Sequence, residues 1–368
     1  MVQRINSGRG KNPGPVYYTG MERGDSMTIN YVKKLPTVEE IYEKYPLSAE
    51  LERVKRERDG EIARVFTRED NRFLMIIGPC SAHNVDAVCD YVSHLAALQE
   101  KVKDRVILVP RIYTNKPRTL GTGYKGMLHQ PDHQKKSDMA AGLIAIRQMH
   151  IRALSESHLP AADEMLYPGN YPYLADVLSY VAIGARSVEN QEHRLTVSGL
   201  DIPVGMKNPT DGGLKVMLDS IFAAHNSHEF AYNGWAVRTT GNPFAHAVLR
   251  GSVDREGNHI PNYHYEDLMK LARLYKERHF PNPFIVVDTN HSNSGKKYHE
   301  QVRIAREVML NRRHSAVLRD MVRGFMVESY LVEGAQEPTG NEYGKSITDP
   351  CLGWEDSEKL VLEIADLV

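Results

Sequence analysis

Eight side chains with reactive or charged heads, Cys80, Arg111, Glu164, Arg186, Lys207, Arg250, His291 and Glu328, stand at or just past the ends of short apolar runs. Three arginines and a lysine brought together would repel one another unless what they hold is strongly anionic, so these residue types point to phosphate and carboxylate ligands. The stretch RIYTNKPRT adds Lys116, Arg118 and Thr119, donors enough for a second phosphate. Cys80, His291, Glu328 and Asp349 of SITDPC form a mixed S/N/O set suited to a borderline divalent metal such as Mn2+, Fe2+, Co2+ or Zn2+, which could polarise a carbonyl. No compact Cys/His spacing of the zinc-finger kind is present, so distant residues must be brought together by the fold. Each residue also has a plainer role: a thiol after a strand is commonly core, and a strand-end carboxylate commonly an ion-pair partner. His129, His133, Lys135 and Lys136 read as solvated loop residues, and the methionines as core filler.

The runs that must position these groups are FLMIIGP (73–79), VILVPRIY (106–113), LPAADEML (159–166), YVAIGA (180–185), IPVGMKN (202–208), HAVLRG (246–251), FIVVDTNH (284–291) and VRGFMVES (322–329). Helical patterns such as DAVCDYVSHLAALQEKV separate most of them, and repeated β/α units require parallel strands with crossover helices. Eight units fit a closed (β/α)8 TIM barrel, whose strand C-termini meet at one mouth where active sites form. A doubly wound open sheet is the alternative, but it usually carries a Gly-rich phosphate turn after its first strand, and GPCSAH is not one.

Around that barrel, 71–368, residues 1–30 are rich in Gly, Pro, Asn and Ser without apolar period and read as a flexible arm. Residues 31–70 read as a helical N-terminal extension, and 228–243 as a β-hairpin inserted outside the barrel, turning at Asn233-Gly234. The net charge of −1 gives no field for steering nucleic acid or anionic membrane. Three cysteines, with no long apolar span and no secretory h-region, fit a reducing, cytoplasmic setting.

The strings GPCSAHN, KPRT with GYKG, LPAADE, IGARSVENQEHR, PVGMKNPTDG, VLRG, VVDTNHSNSGKK, MVESYLVEGAQ and YGKSITDPCLGWED follow one another from about Tyr31 to the C-terminus. Together they resemble the type I 3-deoxy-D-arabino-heptulosonate 7-phosphate (DAHP) synthases. The resemblance implies a transferase that condenses phosphoenolpyruvate with erythrose 4-phosphate and water, releasing phosphate, at the first step of the shikimate pathway to the aromatic amino acids. It implies a divalent metal, Mn2+ first among the four, on Cys80, His291, Glu328 and Asp349. Phosphoenolpyruvate would be surrounded by Arg111, Lys116, Glu164, Ala185, Arg186, Lys207, Arg250 and His291, and erythrose 4-phosphate by Lys116, Pro117, Arg118, Thr119 and Asp349. Lys116, Glu164, Lys207 and His291 would carry catalysis. The sequence departs from the family pattern at Asn84, where many members have Asp, at Asn290, where Ser is usual, and in a KPRT loop one residue longer; none of these removes a ligand.

Two other readings share these residues: condensation onto another aldose phosphate such as arabinose 5-phosphate, and a non-catalytic relative that binds aromatic metabolites or a partner enzyme. In the family, inhibitor sites involve the extension and the hairpin, which makes Phe230 and Tyr232 candidates for an aromatic amino-acid site. Two exposed elements outside the barrel suggest a homodimer or tetramer.

Overall fold

The computed structural model describes residues 32–117 and 123–368, so the N-terminal arm and Arg118 and Thr119 lie outside the described residues. Each of the eight apolar runs overlaps a strand: β1 (Phe73–Gly78), β2 (Val106–Pro110), β3 (Ala161–Glu164), β4 (Leu178–Ile183), β5 (Val204–Lys207), β6 (Ala245–Leu249), β7 (Ile285–Asp288) and β8 (Val322–Glu328). All pair in parallel, with β1 between β2 and β8 and the chain of neighbours running on through β7, β6, β5 and β4 to β3. The remaining gap is bridged where Arg111 faces Ala162 and Ile112 N–H donates to Ala162 O at 2.9 Å, which closes the (β/α)8 barrel.

Strands buried on both faces read as continuous hydrophobic runs, and their period of two decides which residue faces where. Leu74, Ile76, Ile107, Val109, Ala162, Tyr180, Ala182, Val248, Val286 and Met326 belong to the inner cluster. Their neighbours Phe73, Met75, Ile77, Val106, Leu108 and Val287 belong to the outer one, packed under the helices. The inner layer is tight: a Cβ at Gly205 would run into Tyr180 Oη and Val248 Cγ2. Continued to the strand ends, this inward parity selects Arg111, Glu164, Lys207, Arg250, Asp288 and Glu328.

Helices α3 (Val85–Val102), α4 (Met139–Ser157), α5 (Gln191–Val197), α6 (Leu214–His225), α7 (Tyr265–Arg278), α8 (Glu300–His314), α9 (Ala316–Met321) and α10 (Trp354–Leu367) lie between or after the strands. A 3₁₀ segment, Pro168–Tyr173, joins β3 to β4 instead of an α-helix. Ahead of the barrel come α1 (Val38–Lys44), opened by a capping box between Thr37 and Glu40, and α2 (Ala49–Thr67), capped by Ser48. Ile62, Val65 and Phe66 of α2 join the inner cluster, with Phe66 stacked on Phe284 at 3.9 Å, so this helix plugs the end opposite the strand C-termini.

Glu229–Tyr232 and Trp235–Arg238 form an antiparallel hairpin, turned by Asn233 (φ 48°) and Gly234 (φ 83°) and resting on the 3₁₀ segment through Tyr232 Oη–H to Pro168 O at 2.8 Å. A second ribbon, Ser252–Val253 with His259–Ile260, was not foreseen from the sequence. The solvated-loop reading of His129 and His133 needs correcting. His129 Nε2 sits 3.0 Å from Tyr167 Oη, and His133 packs edge-on to His83 with its Nε2 buried, because the loop after β2 meets the segments that lead into the 3₁₀ turn and into α3. Among the described residues no helix is long and apolar enough to cross a membrane.

Candidate active site

The strand C-termini enclose a cavity of about 510 Å³. Arg111, Lys116, Pro117, Glu164, Ala185, Arg186, Lys207, Arg250, His291 and Asp349 line it, while Cys80 and Glu328 lie just beneath, joined to it by contacts. The sequence analysis missed Asn115, Thr210, His259, Ser292 and Lys296 on the wall. It also missed Asp288 below it, which inward parity on β7 would have found, since Phe284 and Val286 face the barrel interior four and two residues earlier.

Arg111 is buried and donates through Nη2 to Glu328 Oε1 at 2.9 Å and through Nη1 to Pro79 O, with its guanidinium 3.7 Å from the centre of the Tyr113 ring. Burial opposes the Glu328 charge, but Arg111 and His291 hold its carboxyl below the usual glutamate range. Lys207 lies 3.3 Å from Asp288 Oδ2. Glu164 reaches inward close under Gly184, where an added Cβ would meet Glu164 Oε1 at 2.5 Å and displace the carboxylate. Arg250 is different. Its Nη1 is buried with no hydrogen-bond partner among the described residues, and burial with the repulsion of Arg186 pulls its pKa down. A desolvated guanidinium left open in a cationic cavity is the signature of an anion site.

On the other side, Cys80 Sγ is 3.6 Å from Asp349 Oδ2, and His291 Nε2 is 3.8 Å from Glu328 Oε1. Lys116 donates to Cys80 Sγ at 2.9 Å. Burial and the charge of Glu328 push the Cys80 thiol up. Burial works against the Lys116 ammonium, yet Cys80, Glu328 and Asp349 hold its pKa above the usual lysine value. Asp349 stays ionised because Lys116 and Lys296 outweigh its burial. Among the described residues no three of His, Cys, Asp and Glu close into a chelating group. Thiol, imidazole and two carboxylates gathered around the Lys116 ammonium nevertheless suit a divalent cation in donor type. Of the departures from the family pattern, Asn84 caps α3 and Asn290 donates to Glu328 Oε2 at 2.5 Å, so both support neighbouring groups.

With this geometry in hand, the family described as "DAHP synthetase I family" matches residues 46–362. The chain belongs to the DAHP synthetase I family. It is 35% identical over 356 residues to the Trp-sensitive phospho-2-dehydro-3-deoxyheptonate aldolase of Escherichia coli (strain K12), covering 95% of this chain and 99% of that one. The Phe-sensitive enzyme of the same strain is 36% identical over 94% of this chain and 98% of its own length. The Haemophilus influenzae phospho-2-dehydro-3-deoxyheptonate aldolase is 38% identical over 89% and 90%. The solved structure of the Francisella tularensis SCHU S4 aldolase superposes with a TM-score of 0.85 at 30% identity, covering 93% of this chain and 98% of that one. Membership of the DAHP synthetase I family bears out the barrel and the enzyme class expected from the sequence, a 3-deoxy-7-phosphoheptulonate synthase at the first step of aromatic biosynthesis.

Proposed function

We propose that this mouth condenses phosphoenolpyruvate with erythrose 4-phosphate. The observation that carries the reading is Arg250, whose buried Nη1 has no hydrogen-bond partner among the described residues, beside Arg186 and Lys207 in a cavity that lies over the thiol, imidazole and carboxylate cluster. Arg186, Lys207 and Arg250 hold the phosphate and carboxylate of phosphoenolpyruvate, with Arg111 and Ala185 shaping the same half. Pro117, Arg118 and Thr119 receive the phosphate of the aldose beside Lys116 and Asp349. Cys80, His291, Glu328 and Asp349 would hold a divalent ion, Mn2+ by preference, which supplies Lewis-acid polarisation of the aldehyde when bound.

C3 of phosphoenolpyruvate adds to C1 of the aldehyde, and Lys116 gives its proton to the alkoxide that forms. The cationic C2 left behind develops beside the fixed charges of Glu164 and the bound phosphate. Glu164 orients a water toward C2 and takes its proton as the new C–O bond forms. The C2–O bond to phosphate then breaks, phosphate leaves with the electron pair, and loss of the hydroxyl proton gives the ketone.

Phe230 and Tyr232 line a second cavity of about 480 Å³ with Tyr171, Pro172, Leu200 and Val237. Its apolar, aromatic wall fits the side chain of an aromatic amino acid, so feedback inhibition is read to this hairpin. Phosphate release measured with Mn2+ and phosphoenolpyruvate, first with erythrose 4-phosphate and then with arabinose 5-phosphate, tests the reaction; initial rates with added Phe, Tyr or Trp test the effector. Turnover on the four-carbon aldose and inhibition by one of the three are expected. Preference for the five-carbon sugar, or no release with either, would overturn the assignment.

A further inference from the structure

Asp288 ends β7 fully buried and touches both halves of the site. Its Oδ2 lies 3.3 Å from Lys207 Nζ on one side and 2.8 Å from His291 Nδ1 on the other, the latter contact too bent to be a well-formed hydrogen bond. Its Oδ1 accepts from Asn290 N at 3.1 Å, which fixes the carboxylate plane. The backbone then turns sharply, with His291 in the left-handed region at φ 50°, and this brings the imidazole back over the aspartate. The second ring nitrogen, Nε2, faces Glu328 Oε1 at 3.8 Å.

A carboxylate removed from water is tolerable only between positive or donating groups, and here its two partners serve different ligands. Lys207 belongs to the phosphoenolpyruvate half, and His291 to the half with the metal donors. A proton on Nδ1 facing Asp288 leaves the Nε2 lone pair free for a cation, and a carboxylate behind a ligating imidazole makes it a better donor. When a bound anion draws Lys207 upward, more of the Asp288 charge is left for His291.

We propose that Asp288 is a positioning residue that couples the two halves, so that phosphoenolpyruvate tightens divalent-ion binding through Lys207, Asp288 and His291. The proposal rests on the roles given to Lys207 and His291 above. Mn2+ dissociation constants would be measured on the full chain by electron paramagnetic resonance of the free ion, with and without phosphoenolpyruvate and without the aldose, so that no turnover intervenes. In the parent, phosphoenolpyruvate should lower the constant several-fold. Asp288→Asn, nearly isosteric, should bind Mn2+ about 10- to 100-fold more weakly and lose the phosphoenolpyruvate effect. Lys207→Met provides a second arm. With its competitor gone, Asp288 serves His291 alone, so Mn2+ binding should be no weaker than in the parent and indifferent to phosphoenolpyruvate, whereas a merely structural ion pair predicts weakening in both variants. Asp288→Asn that binds within twofold of a Mn2+-binding parent, or that keeps the phosphoenolpyruvate effect, would overturn the coupling alone. A parent that binds no Mn2+ would overturn the metal assignment and the coupling with it.

Discussion

At the scale of single residues, Arg186 and Arg118 are proposed to serve two different phosphates. Arg186 lines the same cavity as Lys207 and Arg250, and its charge depresses Arg250, which is why the three are proposed to hold one anion. Arg186→Ala should raise KM for phosphoenolpyruvate and lower kcat, whereas Arg118→Ala should act mainly on erythrose 4-phosphate, each by about 2–5 kcal/mol in kcat/KM. Swapped substrate effects would exchange the two sites. Chelation with EDTA should abolish turnover and Mn2+ restore it; full activity in protein shown by elemental analysis to be metal-free would remove the ion from the reaction. Most of the wall was legible in the sequence because a charged residue closing an apolar run is conspicuous. Asp288 was not, because His291 closes the same run three residues later and drew the reading past the inward-facing position. Lys296 and His259 were hidden for another reason: Lys296 sits in a turn and His259 in a strand of two residues, where no periodicity says which way a side chain faces.

Among the elements, α2 has the task least visible in its own sequence. Its exposed face is densely charged, yet Ile62, Val65 and Phe66 enter the barrel from the end opposite the cavity. Phe66 is fully buried, stacked on Phe284 and tilted against His246 at 4.9 Å. Phe66→Ala should therefore destabilise the protein by about 3–5 kcal/mol in a urea titration. A loss below about 1 kcal/mol would mean that the barrel end closes without the helix. The hairpin was legible because Asn-Gly supplies two residues that tolerate positive φ. Gly234 has open space around it, so Gly234→Val should act only through backbone strain, destabilising by about 1–2 kcal/mol. Larger losses would reveal a packing role for the turn. The ribbon at 252–260 escaped detection because strands of two residues are too short to show alternation.

Across the whole molecule, a net charge of −1 coexists with a mouth crowded with cations, and the balance between them is struck locally. Arg111 is matched by Glu328, Lys207 by Asp288 and Lys296 by Asp349, while Arg250 keeps a buried Nη1 with no hydrogen-bond partner among the described residues. An uncompensated buried charge lowers stability, and such sites persist where function needs them. The ligand-free protein should therefore carry a penalty at Arg250 that a bound anion relieves. Two consequences separate this from an ordinary structural arginine. Phosphoenolpyruvate alone should raise the thermal midpoint, by about 2.7 kcal/mol of stabilisation when present at 100 times its Kd. Arg250→Met keeps the stem's apolar contacts and the backbone bond from residue 250 N–H to Asn208 Oδ1, so without ligand it should melt no lower than the parent, and above it by about 1 kcal/mol of added stability. The same variant should lose most of the phosphoenolpyruvate-induced shift. If it instead melted well below the parent without ligand and still responded to phosphoenolpyruvate, Arg250 would be a structural residue and the anion would be held elsewhere in the cavity.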